Sequence, residues 1–257
     1  NRAEREAGGS AIHGITQFAD LSLEEFEGKY LNVKIDDDLQ RAASDNLQRE
    51  VQPYVGTSTF KNWAGTYTTA VKNQKNCGAC WAFAAAEQVE SDAIRLVGWN
   101  RSMTLSTQQL VDCDTADLAC NGGSPYNAYA YIKTNGLELN KDYPYTSGTT
   151  KVAGTCMYSS YIPYVSISGY TFLNNGDSSA YTSTEIAMAS YVLSTGPLSV
   201  MVAATSWLSY SSGILTVCTG SINHVVQITG VDLTNNYWIV SYIDLFSLHV
   251  FLTELFT

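Results

Sequence analysis

The sequence predicts an α+β protein with two lobes, a helical half followed by a half built from short strands. Three observations point there. The strongest helix signal begins at Cys80, runs through Val97 and stops at Gly98. After Pro197 the texture changes to short β-branched and aromatic stretches separated by turn residues. Residues 1–50 form a charged, cysteine-free arm unlike the rest of the chain.

Within the arm, Arg2, Glu4, Arg5, Glu6, Glu24, Glu25, Glu27 and the run Asp36-Asp37-Asp38 carry the charge. Ser22-Leu23-Glu24-Glu25 reads as a capping box ahead of a short helix, with Phe26 and Tyr30 four apart on one face. Residues 42–52 are polar and read as a linker. In the helix from Cys80, Phe83, Ala86, Val89 or Glu90, Ala93 and Val97 recur at helical spacing in an alanine-rich run. Residues 106–110 and 125–134 predict further helices. Residues 181–193 predict another, ended by Ser194-Thr195-Gly196-Pro197. Strands are expected over 198–203, 214–217, 225–231 and 237–243. A site between two such lobes draws one group from each.

The bulk numbers narrow the function classes. A length of 257 residues, 45% apolar and 15% charged, supports a packed core and not a disordered chain. The net charge of −10 argues against nucleic acid, which needs clustered Lys and Arg, and suits an acidic compartment. No run of 18 apolar residues predicts a membrane span. With neither an initiator Met nor a signal peptide at its start, the chain reads as a processed or partial product. Six cysteines, at 77, 80, 113, 120, 156 and 218, allow three disulfides in fifteen connectivities. With the single sequon Asn100-Arg101-Ser102 they favour an oxidising compartment.

Chemistry concentrates in Cys77-Gly78-Ala79-Cys80-Trp81. A thiol is a nucleophile as its thiolate, and aligned peptide dipoles at a helix N-terminus favour that form. Cys80 stands where the strong helix begins, and an imidazolium would complete an ion pair. The chain has three histidines, His13, His224 and His249. His224 opens a predicted strand of the second lobe. Gln74, six residues before Cys80, offers a side-chain N–H to a developing oxyanion, with the Cys80 backbone N–H as a second donor. Other readings compete. Cys77-x-x-Cys80 as a redox pair is opposed by Trp81 and by the lack of a βαβ pattern. A zinc site of Cys77, Cys80, Cys113 and Cys120 is opposed by the long gap between the last two. His224 as an ordinary strand residue stays open.

The segment Val71–Phe83 resembles the active-site segment of the papain-like cysteine proteases. So do Leu105–Cys113 with Cys120-Asn121-Gly122-Gly123, Asp142-Tyr143-Pro144-Tyr145, Gly196–Val200 and Tyr210-x-x-Gly213-Ile214. Gly14-x-Thr16-x-Phe18-x-Asp20 and Phe18–Phe26 resemble a cathepsin L-type propeptide, with Asn1 as the last residue of the interrupted helical motif before it. Family members carry their His about 130–150 residues after the Cys, and His224 falls within that window. The resemblance implies a papain-like two-lobe fold, with a helical N-terminal lobe, an antiparallel β-barrel-like C-terminal lobe and the active site in the cleft between them. It implies Cys80 as nucleophile, His224 as acid/base and Gln74 as oxyanion donor, with no cofactor and no metal. Gly122 and Gly123 would hold substrate backbone. Ser124, Pro125, Met201 and Val225 would line the pocket for the second residue before the scissile bond, with an apolar or aromatic preference. It pairs Cys77 with Cys120 and Cys113 with Cys156.

The partners so implied are protein or peptide substrates and the chain's own propeptide. Residues 1–52 would inhibit until cleavage near 48–57, and 53–257 would form the peptidase domain, in a secretory, lysosomal, vacuolar or extracellular setting. Too few histidines remain for the added loop that makes some relatives exopeptidases, so an endopeptidase is expected. The resemblance ends inside the last predicted strand. Where relatives read approximately Val-Lys-Asn-Ser-Trp-Gly, this chain reads Val240-Ser241-Tyr242-Ile243-Asp244, which puts Tyr242 in the slot of the orienting Asn and Asp244 in that of the shielding Trp. The tail from 241 is therefore atypical, suggestive of a splice variant, a frameshift or a gene-model error. It also separates Cys218 from the segment that normally holds its partner. Asn223, Asn235 and Asn236 are possible substitutes for the missing Asn. A non-catalytic binding or structural homologue is the alternative function.

Overall fold

The computed structural model describes residues 4, 6–34, 54–158, 164–173, 181–218, 220–241 and 249–252. The expectations for Tyr242, Asp244, the acidic run 36–38 and the linker 42–52 lie outside them.

Near the N-terminus, strand β1 (Ile12–His13) precedes helix α1 (Leu23–Tyr30). The capping box forms in both directions: the Glu25 N–H donates to Ser22 Oγ at 3.2 Å, and the Ser22 N–H donates to Glu25 Oε2 at 2.9 Å. Phe26 and Tyr30 face inward and meet Phe18, with ring centroids 5.0–5.7 Å apart.

The first lobe is built on α2 (Cys80–Val97), closed by Gly98 in the left-handed region at φ 69°. It includes α3 (Thr107–Cys113), α4 (Pro125–Asn135) and the single turn α5 (Ser147–Thr150). Ser106 caps α3 from outside by accepting from the Gln109 N–H, so the helix starts one residue later than expected. Trp81, Phe83, Leu105, Leu110, Ile132 and Leu137 form its core. Disulfides join Cys77 to Cys120 and Cys113 to Cys156, with Cα atoms 4.6 and 4.9 Å apart.

In the second lobe, α6 (Tyr181–Ser194) packs on a six-stranded sheet of β2 (Phe60–Asn62), β3 (Leu198–Val202), β5 (Ile214–Leu215), β6 (His224–Asp232), β7 (Tyr237–Ser241) and β8 (His249–Leu252). The order is β2-β6-β7-β8-β5, with β3 also on β6. Among the described residues this path stays open, without closing a barrel. All its pairings are antiparallel except β5 with β8. Strand β6 is buried along its full length, flanked by strands and backed by α2 and α6. Its uncharged, β-branched-rich stretch Val225–Val231, with Gln227, Thr229 and Gly230 among four aliphatic residues, suits that place.

β4 (Tyr210–Ser212) pairs with β1 in a separate two-stranded ribbon that fastens the arm to this lobe. The Gly14 N–H donates to the Ser209 carbonyl at 2.8 Å, and Thr16 Oγ1 to the Leu208 carbonyl at 2.7 Å. Phe18, Phe26 and Tyr30 join the second lobe's core beside Trp207 and Tyr210. These short strands escape prediction because two or three residues carry no periodic signal.

Candidate active site

Cys80 is the first residue of α2. Ala79 before it provides no side-chain cap, and the first turn holds no acidic residue. The aligned peptide dipoles thus act on the sulfur without a compensating anion. Two links hold this turn beside the glycine loop, the Cys77–Cys120 disulfide and the Gly78 N–H donating to the Cys120 carbonyl at 3.0 Å. Cys77 therefore bonds away from Cys80, and three of the four sulfurs of the zinc reading are taken up in disulfides.

His224 opens β6 opposite Val202 of β3. The next residue, Val225, forms one buried cluster with Cys80 and Ala84 of α2, so the start of β6 lies against the first turns of α2 at the seam between the lobes. A polar set ties that seam. Gln88 Nε2 donates to the Pro197 carbonyl at 3.1 Å, Ser199 Oγ to the Ala84 carbonyl at 3.0 Å, and Gln227 Nε2 to Ser91 Oγ at 3.0 Å. The ring edge of Trp207 meets the His224 ring, with centroids 6.2 Å apart and planes at 82°. Burial pushes the His224 pKa down to about 4, and the Tyr30 backbone carbonyl offsets part of that. Trp207 was not anticipated; a lone Trp between short β stretches was the available signal.

Of the three residues proposed in place of the orienting Asn, Asn223 and Asn235 have their side-chain amides engaged elsewhere. Asn223 accepts from the Ala204 N–H at 3.0 Å and donates to Thr205 Oγ1 at 2.8 Å. Asn235 donates to Asp232 Oδ2 at 2.8 Å, and Asn236 occupies a turn at φ 55°.

Gln74 is fully buried, and its Nε2 donates to the Tyr30 carbonyl at 3.1 Å. From that point the arm runs between the lobes, bonded to a residue of each. The Val33 N–H donates to the Asn223 carbonyl at 3.2 Å, the Lys34 N–H to the Gly123 carbonyl at 2.9 Å, and the Gly123 N–H to the Asn32 carbonyl at 3.3 Å. Val33 and Gly123 pair in parallel. Gly122, at φ 103°, lies so close to the Asn32 carbonyl that a Cβ there would collide with it. A Cβ on Gly123 would come within 2.7 Å of Trp81 and Asp117.

Val33 and Met201 both pack against the buried cluster of Cys80, Ala84 and Val225. Pro125, Met201 and Val225 line one cavity of about 920 Å³ that runs between α2, α4, α6 and β3. Gly122, Gly123 and Ser124 are not in that lining. Ser124 caps α4 by accepting from the Tyr126 N–H at 3.0 Å, and its own N–H donates to Asp117 Oδ1 at 2.9 Å.

Behind the seam, Lys72, Glu87 and Glu90 form a buried charge cluster that sequence reasoning missed. Lys72 Nζ lies 2.7 Å from Glu90 and 3.5 Å from Glu87. Glu90 also accepts from Thr69 Oγ1 at 2.6 Å and from the Leu105 N–H at 2.7 Å. Burial raises the Glu87 pKa to about 7, with Lys72 opposing and Glu90 adding to the rise.

The family model of the papain family cysteine proteases matches residues 58–242. Cysteine proteinase 1 of Dictyostelium discoideum is 36% identical over 251 residues, covering 88% of this chain and 68% of the relative. Cathepsin L 1 of Paramecium tetraurelia is 36% identical over 223 residues, covering 85% and 64%. The chain thus spans about two thirds of the length of these relatives. Digestive procathepsin L2 of Tenebrio molitor superposes with a TM-score of 0.80 at 25% identity, over 98% of this chain and 81% of that one. Procathepsin L 3 of the same organism gives 0.77 at 27%, over 98% and 80%. The chain belongs to the papain family of cysteine proteases.

Proposed function

We propose that this chain is the zymogen of a cysteine endopeptidase with Cys80, His224 and Gln74 as its catalytic residues. Residues 1–52 are the C-terminal part of its inhibitory propeptide, and 53–257 form the peptidase domain. The observation that carries this is the Tyr30 carbonyl, held by Gln74 Nε2 and turned toward His224. That the arm's carbonyl accepts from this donor supports reading Gln74 as the group that polarises a scissile carbonyl. Once the arm is removed, the Cys80 thiolate attacks the substrate carbonyl carbon, and Gln74 Nε2 with the Cys80 N–H stabilises the oxyanion. The C–N bond breaks as His224 protonates the leaving amine. His224 then takes a proton from water, whose oxygen attacks the thioester; the acid product leaves and the thiolate returns.

Gly122 and Gly123 hold the substrate backbone, a reading supported by the hydrogen bonds of Gly123 to Asn32 and Lys34 and by the close approach of Gly122 to the Asn32 carbonyl. Ser124, Pro125, Met201 and Val225 border the pocket for the second residue before the scissile bond, and the apolar seat of Val33 supports an apolar or aromatic preference there. The two disulfides and the acidic balance suit a secretory route ending in a lysosome, a vacuole or the extracellular space.

The test is activation at acidic pH followed by a thiol-directed epoxide, with and without Cys80→Ala. Label confined to Cys80, with peptide hydrolysis abolished by the substitution, supports the enzyme. An unlabelled Cys80 in the folded, propeptide-free protein would instead favour a binding or structural subunit.

A further inference from the structure

The sequon takes no part in the cleft, yet its local structure is well defined. Asn100–Met103 form an exposed turn just beyond α2, closed by the Met103 N–H donating to the Asn100 carbonyl at 2.9 Å. Asn100, Arg101 and Ser102 are all exposed. The Ser102 N–H and the Ser102 hydroxyl both donate to Asn100 Oδ1, each at 3.0 Å. The carboxamide is thereby held by its oxygen, while Asn100 Nδ2 makes no hydrogen bond among the described residues. Hydrogen bonds to Oδ1 also draw charge from the amide nitrogen and acidify its N–H. We propose that Asn100 is the attachment site of an N-linked glycan, supplied by a lipid-linked oligosaccharide diphosphate.

In that transfer a bond forms between Asn100 Nδ2 and the anomeric carbon, and the carbon–oxygen bond to the diphosphate breaks. The lipid diphosphate leaves, the amide proton passes to a base of the transferase, and nothing is oxidised or reduced. The position is compatible with peptidase function. Cys80 and the turn lie at opposite ends of α2, whose 18 residues span roughly 27 Å, so a glycan at Asn100 stands clear of Cys80. It also has a surface to cover. Leu96 and Val97, in the last turn of α2, are 67% and 79% exposed on a chain with only 15% charged residues.

The inference rests on the secretory route proposed above, so one measurement must read both. The protein isolated from its own cells is mapped by mass spectrometry for the state of residue 100 and of the Cys77–Cys120 and Cys113–Cys156 pairs. Before digestion it is treated with the amidase that converts glycosylated Asn to Asp in ¹⁸O water. Oxidised pairs with ¹⁸O-labelled Asp at position 100 are the expected result. Oxidised pairs with an unmodified Asn100 overturn the glycan and leave the secretory route standing. Reduced pairs with an unmodified Asn100 overturn both. Asn100→Gln and Ser102→Ala should each lose the single-glycan mobility shift, while Ser102→Thr keeps it, which separates a lost acceptor from a misfolded chain.

Discussion

Gln74 Nε2 donates to the Tyr30 carbonyl oxygen at 3.1 Å, inside a pocket closed to solvent. The donor proposed for the reaction is thus occupied by the arm that would have to leave before the reaction begins. Replacing Gln74 should affect both functions. Gln74→Ala in the activated protein is expected to lower kcat about 10²–10³-fold with KM little changed, because the bond strengthens as charge develops. Steady-state kinetics on a peptide amide check this; an unchanged kcat would remove Gln74 from the site.

The buried imidazole predicts how pH acts on the closed form. The His224 pKa near 4 lies below the ordinary 6.5, so the closed state holds fewer protons than one with a solvated ring. Stability present above pH 6.5 is therefore lost as pH falls to 4, up to about 3 kcal/mol. NMR titration of the ring should give a midpoint near 4 with the arm bound and a higher one after its removal. Equal midpoints would contradict the assignment.

Glu87 acts in the opposite direction. Its folded pKa of about 7 lies above the ordinary 4.5, so its favourable contribution is full below pH 4.5 and is lost as pH rises through 7. Glu87→Gln keeps an acceptor for Lys72 and removes the buried charge. It should gain up to about 3 kcal/mol at pH 7.5 and little at pH 4, read from urea midpoints. Equal gains at both pH values would mean that the effect is not titration.

The arm's grip should weaken in steps that follow its packing. Ser22→Ala removes the cap of α1 and costs about 1 kcal/mol, which makes the isolated arm an approximately fivefold weaker inhibitor. Phe26→Ala empties a fully buried aromatic site and costs about 3–5 kcal/mol. Inhibition constants for synthetic arms against the activated domain test both, and the order Phe26 over Ser22 is the critical outcome.

Trp207 covers one side of the His224 ring, so Trp207→Phe should retain most activity and Trp207→Ala should lower kcat with a shifted pH profile. A pH profile identical to the parent's, with lower yield of folded protein, would mean that Trp207 serves the core alone.

Much of this molecule was legible in the sequence. The helix from Cys80 to Val97, the Ser22–Glu25 cap and the strand at His224 follow from local rules, namely apolar periodicity, capping chemistry and a terminal glycine, which act within a few residues. Cys80 and His224 could be proposed as a pair from residue type, local setting and the family's spacing. The tertiary structure decided what those rules do not reach. It brought the Tyr30 carbonyl onto Gln74, seated Val33 beside Cys80, tied the side chain of Asn223 to Ala204 and Thr205, and gathered Lys72, Glu87 and Glu90 into one buried cluster. Each of these joins groups far apart in the chain, and their energies depend on burial and on which polar atoms meet after water is excluded. No window of neighbouring residues contains that information.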